Sequence, residues 1–196
     1  MTERATDYLQ RLSRLLISTA VTLENGEQVS LDEGAGAGVD VVRRSVSAGG
    51  KILLVGNGGS AAVVSHMQND FCKAAGVRAL VFTEQPLLTA LSNDDGYDSA
   101  FETATRLWVD TEDVLIAISS SGRSDNILRA SKVALAVGAS LVTLSGFSTD
   151  NPLRTMGAVN FHVNSDSYGL VETAHAAIGH FITDAIANIL DNEGAN

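Results

Sequence analysis

The chain is short of cysteine, aromatic residues and basic charge, and it has no long apolar run. A single cysteine, Cys72, rules out an intrachain disulfide and fits a reducing compartment, so a cytoplasmic location is expected. Thirteen Lys and Arg stand against 23 Asp and Glu, for a formal net charge of -10. Such an acidic surface repels phosphate backbones, which argues against nucleic acid as a partner. A small anion can still bind where backbone N–H groups supply the positive end. No apolar stretch reaches the ~18 residues that a membrane span needs, so no membrane partner is expected. Residues 1–10 carry charges and no apolar centre, so no secretory signal is expected there. Aromatics are only 5% of the chain, so its core must come from aliphatic side chains. Within 196 residues, 45% hydrophobic and 18% charged, there is enough such material for one globular domain.

The patterning then sets an order of elements. Tyr8, Leu12, Leu15, Leu16, Thr19 and Leu23 recur at helical spacing, which predicts an amphipathic helix over 6–24, ended by Asn25-Gly26. Its Leu12/Leu16/Leu23 face is expected to pack on another subunit. A second helix is predicted over 38–48; the glycines at 34, 36 and 38 weaken an earlier start. These two helices would form an N-terminal helical hairpin. Beyond them short, continuously apolar runs at 51–56, 79–82, 113–118, 140–144 and 158–163 read as buried strands. They alternate with helical segments at 60–73, 86–92, 98–108 and 125–137, and a long helix over 170–190 closes the chain. Alternation of this kind predicts an α/β fold with a parallel sheet covered on both faces.

Two strand-to-helix turns have unusual composition. Gly56-Asn57-Gly58-Gly59-Ser60 follows one buried strand, and its glycines let backbone approach a ligand at a helix start, although an ordinary tight turn reads the same way. Ser119-Ser120-Ser121-Gly122-Arg123-Ser124 follows another and places four hydroxyls beside free helix amides, a phosphate cradle that needs no basic patch. No Gly-Lys-Ser/Thr follows, so a nucleotide cofactor of the Walker type is not expected. His66 and Asp70 share one helix face, and Glu172, His175 and His180 lie on the last helix. Imidazoles and carboxylates on separate helices suit a metal site or an acid/base pair. Glu172 and His180 stand about 80° and roughly 12 Å apart on an ideal helix, so Glu172 and His175 are the easier local pair. His162, in an apolar strand, reads as a core residue, as do Cys72, Trp108 and Met67.

Taken together, the glycine turn with His66, the run Ser92-Asn93-Asp94-Asp95-Gly96-Tyr97, the serine turn, and Glu172 to His180 resemble the phosphoheptose isomerases of the sugar isomerase (SIS) domain superfamily. The resemblance implies a single SIS domain over 1–196, a three-layer α/β/α sandwich with a five-stranded parallel sheet, and residues 1–50 as oligomerisation helices. It implies a homotetramer with active sites between subunits, and interconversion of sedoheptulose 7-phosphate and D-glycero-D-manno-heptose 7-phosphate. By position, Ser119, Ser120, Ser121 and Ser124 would bind the phosphate, and Asn57, Gly58, Gly59, Asn93 and Asp94 would line the sugar. His66, Asp70, Glu172 and His180 match the residues that surround the chemistry and in some members bind zinc. Two of them depart from the family pattern: Asp70 stands for Glu and Glu172 for Gln, and the segment before Glu172 differs as well.

An aldose–ketose isomerisation moves a proton between C1 and C2 through an enediol and needs a base, a proton shuttle on oxygen and a stabiliser of the enediolate. Asp70 is assigned as base and His180 as acid. A zinc ion among His66, Asp70, Glu172 and His180 would act as the electrophile and offset the extra charge of Glu172. The rival reading is a non-catalytic SIS protein that senses a phosphosugar or binds the replication initiator DnaA.

Overall fold

The computed structural model describes residues 3–194. Five strands, β3 (Ile52–Gly56), β4 (Ala79–Val81), β5 (Val114–Ser119), β6 (Ser140–Gly146) and β7 (Val159–Val163), run parallel in the order β7-β6-β5-β3-β4. Every residue of β3, β5 and β7 is buried, as expected of strands whose two faces are both covered. Helices α2 (Leu31–Ser47), α3 (Gly59–Lys73) and α7 (Tyr168–Gly194) cover one face through Val42, Val64, Phe71, Ile182 and Ile186. Helices α4 (Gln85–Asp94), α5 (Ala100–Trp108) and α6 (Asp125–Val137) cover the other through Phe101, Ala104, Ile127 and Ala134. The α/β sandwich expected from the alternating pattern is what forms.

The N-terminal segment differs from the predicted helical hairpin. Helix α1 (Ala5–Ile17) stops well short of residue 24, and the next residues form an antiparallel ribbon, β1 (Ala20–Leu23) and β2 (Gln28–Val29). Val21 and Thr22 are β-branched and favour extended backbone, and Gly26 takes φ 81 in the connecting turn, where glycine is at no disadvantage. Strand β1 then pairs antiparallel with β7, so the sheet has seven strands rather than five.

Helix α2 begins at Leu31, earlier than its glycines suggest. Ser30 and Glu33 form a reciprocal capping box that offsets the weak start. The glycines themselves admit close packing: a Cβ on Gly34 would collide with Val21, and one on Gly38 would touch the Phe161 ring.

Several single residues are placed differently from expectation. Cys72 is exposed rather than buried, and Trp108 is 46% exposed. Met67 and His162 lie in the core as expected. Leu12 and Leu16 rest partly buried on Val163, Val171 and Ala174 of their own chain, and Leu23 belongs to a strand, so the three share no helix face.

Candidate active site

The strand order reverses beside β3: the chain leaves β3 for β4 on one side, then crosses back to β5 on the other. Connections diverge at such a point and leave a crevice at the carboxyl ends of the strands. Both unusual turns lie there, because Gly56 of β3 is in register with Ile118 of β5. Together they line a pocket of about 300 Å³ formed by Asn57, Gly58, Gly59, Ser60, Ser119, Ser120, Ser121, Ser124, Tyr168 and Glu172.

The serine turn folds around its own hydroxyls. Ser119 Oγ lies 3.5 Å from Ser121 Oγ and 3.3 Å from Ser124 Oγ, and it accepts the Gly122 N–H at 3.1 Å. Gly122 takes φ 62, and a Cβ there would strike Asn151, so the turn admits only glycine. Ser124 is the N-cap of α6 yet makes no side-chain cap bond; its hydroxyl turns to that of Ser119 instead. Ser120 Oγ is buried with no hydrogen-bond partner among the described residues. A buried hydroxyl without a partner carries a desolvation cost that a bound oxygen would remove.

Opposite the serines, Gly58 caps α3 with φ 54, again a backbone region suited to glycine. The Glu172 carboxylate lies against Gly59 so closely that any Cβ there would overlap it. The start of α3 supplies the positive end of a helix, a favourable place for a carboxylate. Glu172 therefore faces the serine pocket, not His175. His175 is fully buried; its Nε2–H donates to the Ser145 carbonyl at 3.0 Å, and burial pushes its pKa down to about 4. His162 lies nearby with Nδ1 3.3 Å from Ser145 Oγ, and burial lowers its pKa to about 4 as well. Ser145 pairs with Ser119 across the sheet, so this neutral pair sits behind the serine turn.

Further along the same two helices a second cluster forms. Asp70 Oδ2 lies 3.5 Å from His66 Nε2 and 3.3 Å from His180 Nδ1, and the two rings meet edge to face at 4.8 Å. Gly179, next to His180, makes this contact feasible, since a Cβ there would run into Met67 of α3. Among the described residues these three offer ligand atoms within 4.8 Å of one another; Glu172, expected as a fourth ligand, lies outside that group. Both imidazoles remain about half exposed.

Asn93 and Asp94 are exposed and outside the lining of the serine pocket, with Asn93 Nδ2 donating to Asp94 Oδ1 at 2.8 Å. The sequence reading missed two residues beside the pocket. Tyr97 donates from its hydroxyl to Asn57 Oδ1 at 2.6 Å, and Asn126 forms a reciprocal amide pair with Asn57. No periodicity marks either one, because their partner is 40 or 69 positions away.

Comparison with known proteins agrees with this architecture. Residues 18–146 match the SIS domain family model. The chain is 34% identical over 149 residues to the phosphoheptose isomerase of Burkholderia pseudomallei, covering 73% of this chain and 75% of that one. It is 33% identical over 162 residues to the phosphoheptose isomerase of Syntrophotalea carbinolica, covering 76% and 82%. The solved phosphoheptose isomerase of Neisseria gonorrhoeae superposes with a TM-score of 0.78 at 24% identity, covering 93% of this chain and 97% of that one. The crevice at the switch point thus belongs to a sugar isomerase domain. Within that superfamily, the chain belongs to the phosphoheptose isomerase family.

Proposed function

We propose that the chain is an aldose–ketose isomerase that interconverts sedoheptulose 7-phosphate and D-glycero-D-manno-heptose 7-phosphate through an enediol. One observation carries this reading: helices α3 and α7, which bring together His66, Asp70 and His180, also supply Gly59 and Glu172 to the pocket lined by the serine turn. Gly59 opens α3 in the cradle, and His66 stands seven residues on, about 10 Å along the helix axis. That spacing suits an open-chain sugar phosphate anchored by its phosphate at one end and reacting at the other.

Ser119, Ser120, Ser121 and Ser124 hold the phosphate through hydroxyls, which suits the acidic chain. Asn57, Gly58 and Gly59 line the sugar with Glu172 beside them, while Asn93 and Asp94 lie outside the pocket lining. Asp70 takes the proton that moves between C1 and C2. His180 directs Nδ1 at Asp70, which leaves Nε2 to exchange a proton with the substrate oxygen. Two imidazoles and a carboxylate are donors that suit zinc, and their mutual distances allow one ion to be shared. His66, Asp70 and His180 would hold it, with Glu172 the farther candidate; when bound, it would polarise the substrate carbonyl.

Assembly belongs to the same reading. No residue of helix α1 is fully buried, and Leu9 and Ile17 are 60% and 74% exposed. Ile17 also lines an apolar hollow with Leu16, Leu31, Phe161, Ile178 and Phe181. This exposed apolar face suits cover by a second copy, in keeping with a homotetramer whose contacts come from residues 1–50.

A coupled assay over a panel of ketose phosphates tests the activity. Sedoheptulose 7-phosphate should turn over, and Asp70→Asn should cost about 10²–10⁴ in rate. Binding of the sugar phosphate without turnover would instead favour the sensor reading. Elemental analysis of protein prepared without chelator should find bound zinc, lost in His66→Ala. Unchanged metal content in that variant would leave the three side chains as an acid/base cluster.

A further inference from the structure

The hydrogen bonds around Asn57 fix which way its amide points, and we infer that Tyr97 and Asn126 are positioning residues that hold Asn57 as a hydrogen-bond donor to a ligand oxygen. The inference rests on the phosphosugar reading above for its ligand.

The orientation follows from a backbone group. The Ile127 N–H can only donate, and it is shared between the Ser124 carbonyl and Asn126 Oδ1, each at 3.0 Å. That identifies the carbonyl end of the Asn126 amide and leaves Nδ2 as its donor. Asn126 Nδ2 gives a hydrogen bond to Asn57 Oδ1 at 3.0 Å, and Asn57 Nδ2 returns one to Asn126 Oδ1 at 2.9 Å. Tyr97 Oη, 2.6 Å from the same Asn57 oxygen, must then be a donor. Asn126 is 3% exposed, so its half of the amide pair is shielded from competing water.

Counting capacity gives the consequence. The carbonyl oxygen of Asn57 has two lone pairs, and Asn126 and Tyr97 take both. Its amide nitrogen has two hydrogens, and Asn126 takes one. What remains is one N–H on a side chain that lines the serine pocket. Asn57 thus has a donor to offer and no acceptor. Its ligand is an oxygen with free lone pairs: a phosphate oxygen, a carbonyl or a hydroxyl that accepts. Tyr97 contributes what Asn126 alone does not. Without the phenol, one lone pair of Asn57 is free to draw a substrate hydroxyl in the wrong sense. Tyr97 also follows Asn93 and Asp94 in a short 3-10 turn, so its hydroxyl ties that segment to the glycine turn.

The test is a double-mutant cycle on binding, read by calorimetry with sedoheptitol 7-phosphate, the reduced and unreactive polyol phosphate. Tyr97→Phe should weaken binding about fivefold, the size of one neutral hydrogen bond. The ring keeps its place beside Phe101, at 6.5 Å between centroids, so the thermal midpoint should stay within about 2 °C. Asn57→Ala should weaken binding by about tenfold or more. Asn57→Asp, which keeps an acceptor for Tyr97 but has no donor, should weaken it at least as much. In the Asn57→Ala background, adding Tyr97→Phe should change nothing further, because the phenol acts through the amide. Full additivity of the two substitutions, or unchanged affinity in Tyr97→Phe, overturns the inference. Turnover of sedoheptulose 7-phosphate is measured separately. Protein that binds the polyol and shows the coupling but does not isomerise the sugar upholds the inference and removes the isomerase reading. Wild-type protein that binds no polyol phosphate overturns both.

Discussion

Ser121 and Ser124 have hydroxyls that no helix cap consumes, beside a Ser120 hydroxyl that is buried without a partner among the described residues. A phosphate oxygen would satisfy them, and a hydrogen bond to a charged group is worth about 1.5–3 kcal/mol. Ser121→Ala and Ser124→Ala should each therefore weaken inorganic phosphate binding by roughly tenfold or more, measured by calorimetry. Unchanged affinity in both would move the anion elsewhere. Glu172 illustrates how much of a residue's role depends on its surroundings. Beside the His66–Asp70–His180 cluster, a carboxylate in place of Gln would add to the charge of Asp70 and call for a cation. The structure sets it against Gly59 at the start of α3 instead, where the helix end offsets its charge. The serine and glycine turns were legible because each announces itself over five or six consecutive residues. The Tyr97–Asn57–Asn126 network was not, since Asn57 and Tyr97 stand in separate motifs and nothing local links them to each other or to Asn126.

Among the elements, α2 and the β1–β2 ribbon departed furthest from the sequence reading, and for one reason. Glycines at 34 and 38 weaken a helix judged by intrinsic propensity, yet they let α2 lie directly on Val21 and Phe161. Tertiary contact outweighs a propensity cost of about 1 kcal/mol per glycine. Gly34→Ala would improve local helix propensity and still drive a methyl into Val21. We expect it to destabilise the protein by about 1–3 kcal/mol, seen as a lower urea midpoint with unchanged slope. A stabilised variant would mean that the ribbon yields easily. The Leu12 and Leu16 periodicity was read correctly as one helical stripe, but nothing in its spacing told where the helix stops. Thr19 to Leu23 continues the apolar rhythm while its β-branched members pair with β7.

For the whole molecule, the sensitive feature is the pair of buried histidines behind the site. His162 and His175 have folded pKa values lowered to about 4 by burial, against 6.5 for an unburied imidazole. Between pH 6.5 and about 4 the unfolded chain takes up protons that the folded chain refuses. Stability is thus full above 6.5, falls as pH drops, and levels off below about 4. The slope approaches roughly 1.4 kcal/mol per pH unit for each histidine. Urea midpoints at fixed protein concentration should fall from pH 7 to pH 5, and His175→Gln should flatten that fall. An equally steep fall in that variant would assign the effect to other groups.

The sequence by itself determined the fold class, the two turns that line the pocket and the family. Those depend on local composition and period: continuous apolar runs make buried parallel strands, and glycine and serine clusters break them at the carboxyl ends. Tertiary structure alone decided the rest. Gly179 brings α7 close enough to α3 for His180 to meet Asp70, while the same helix sends Glu172 to Gly59 some eight residues earlier. It turned Val21 and its neighbours into strand by offering β7 as a partner. It also buried His175 where the Ser145 carbonyl accepts a hydrogen bond from its Nε2–H. Each of these outcomes depends on atoms far apart in the chain meeting within a few ångströms, and local spacing carries no record of such meetings.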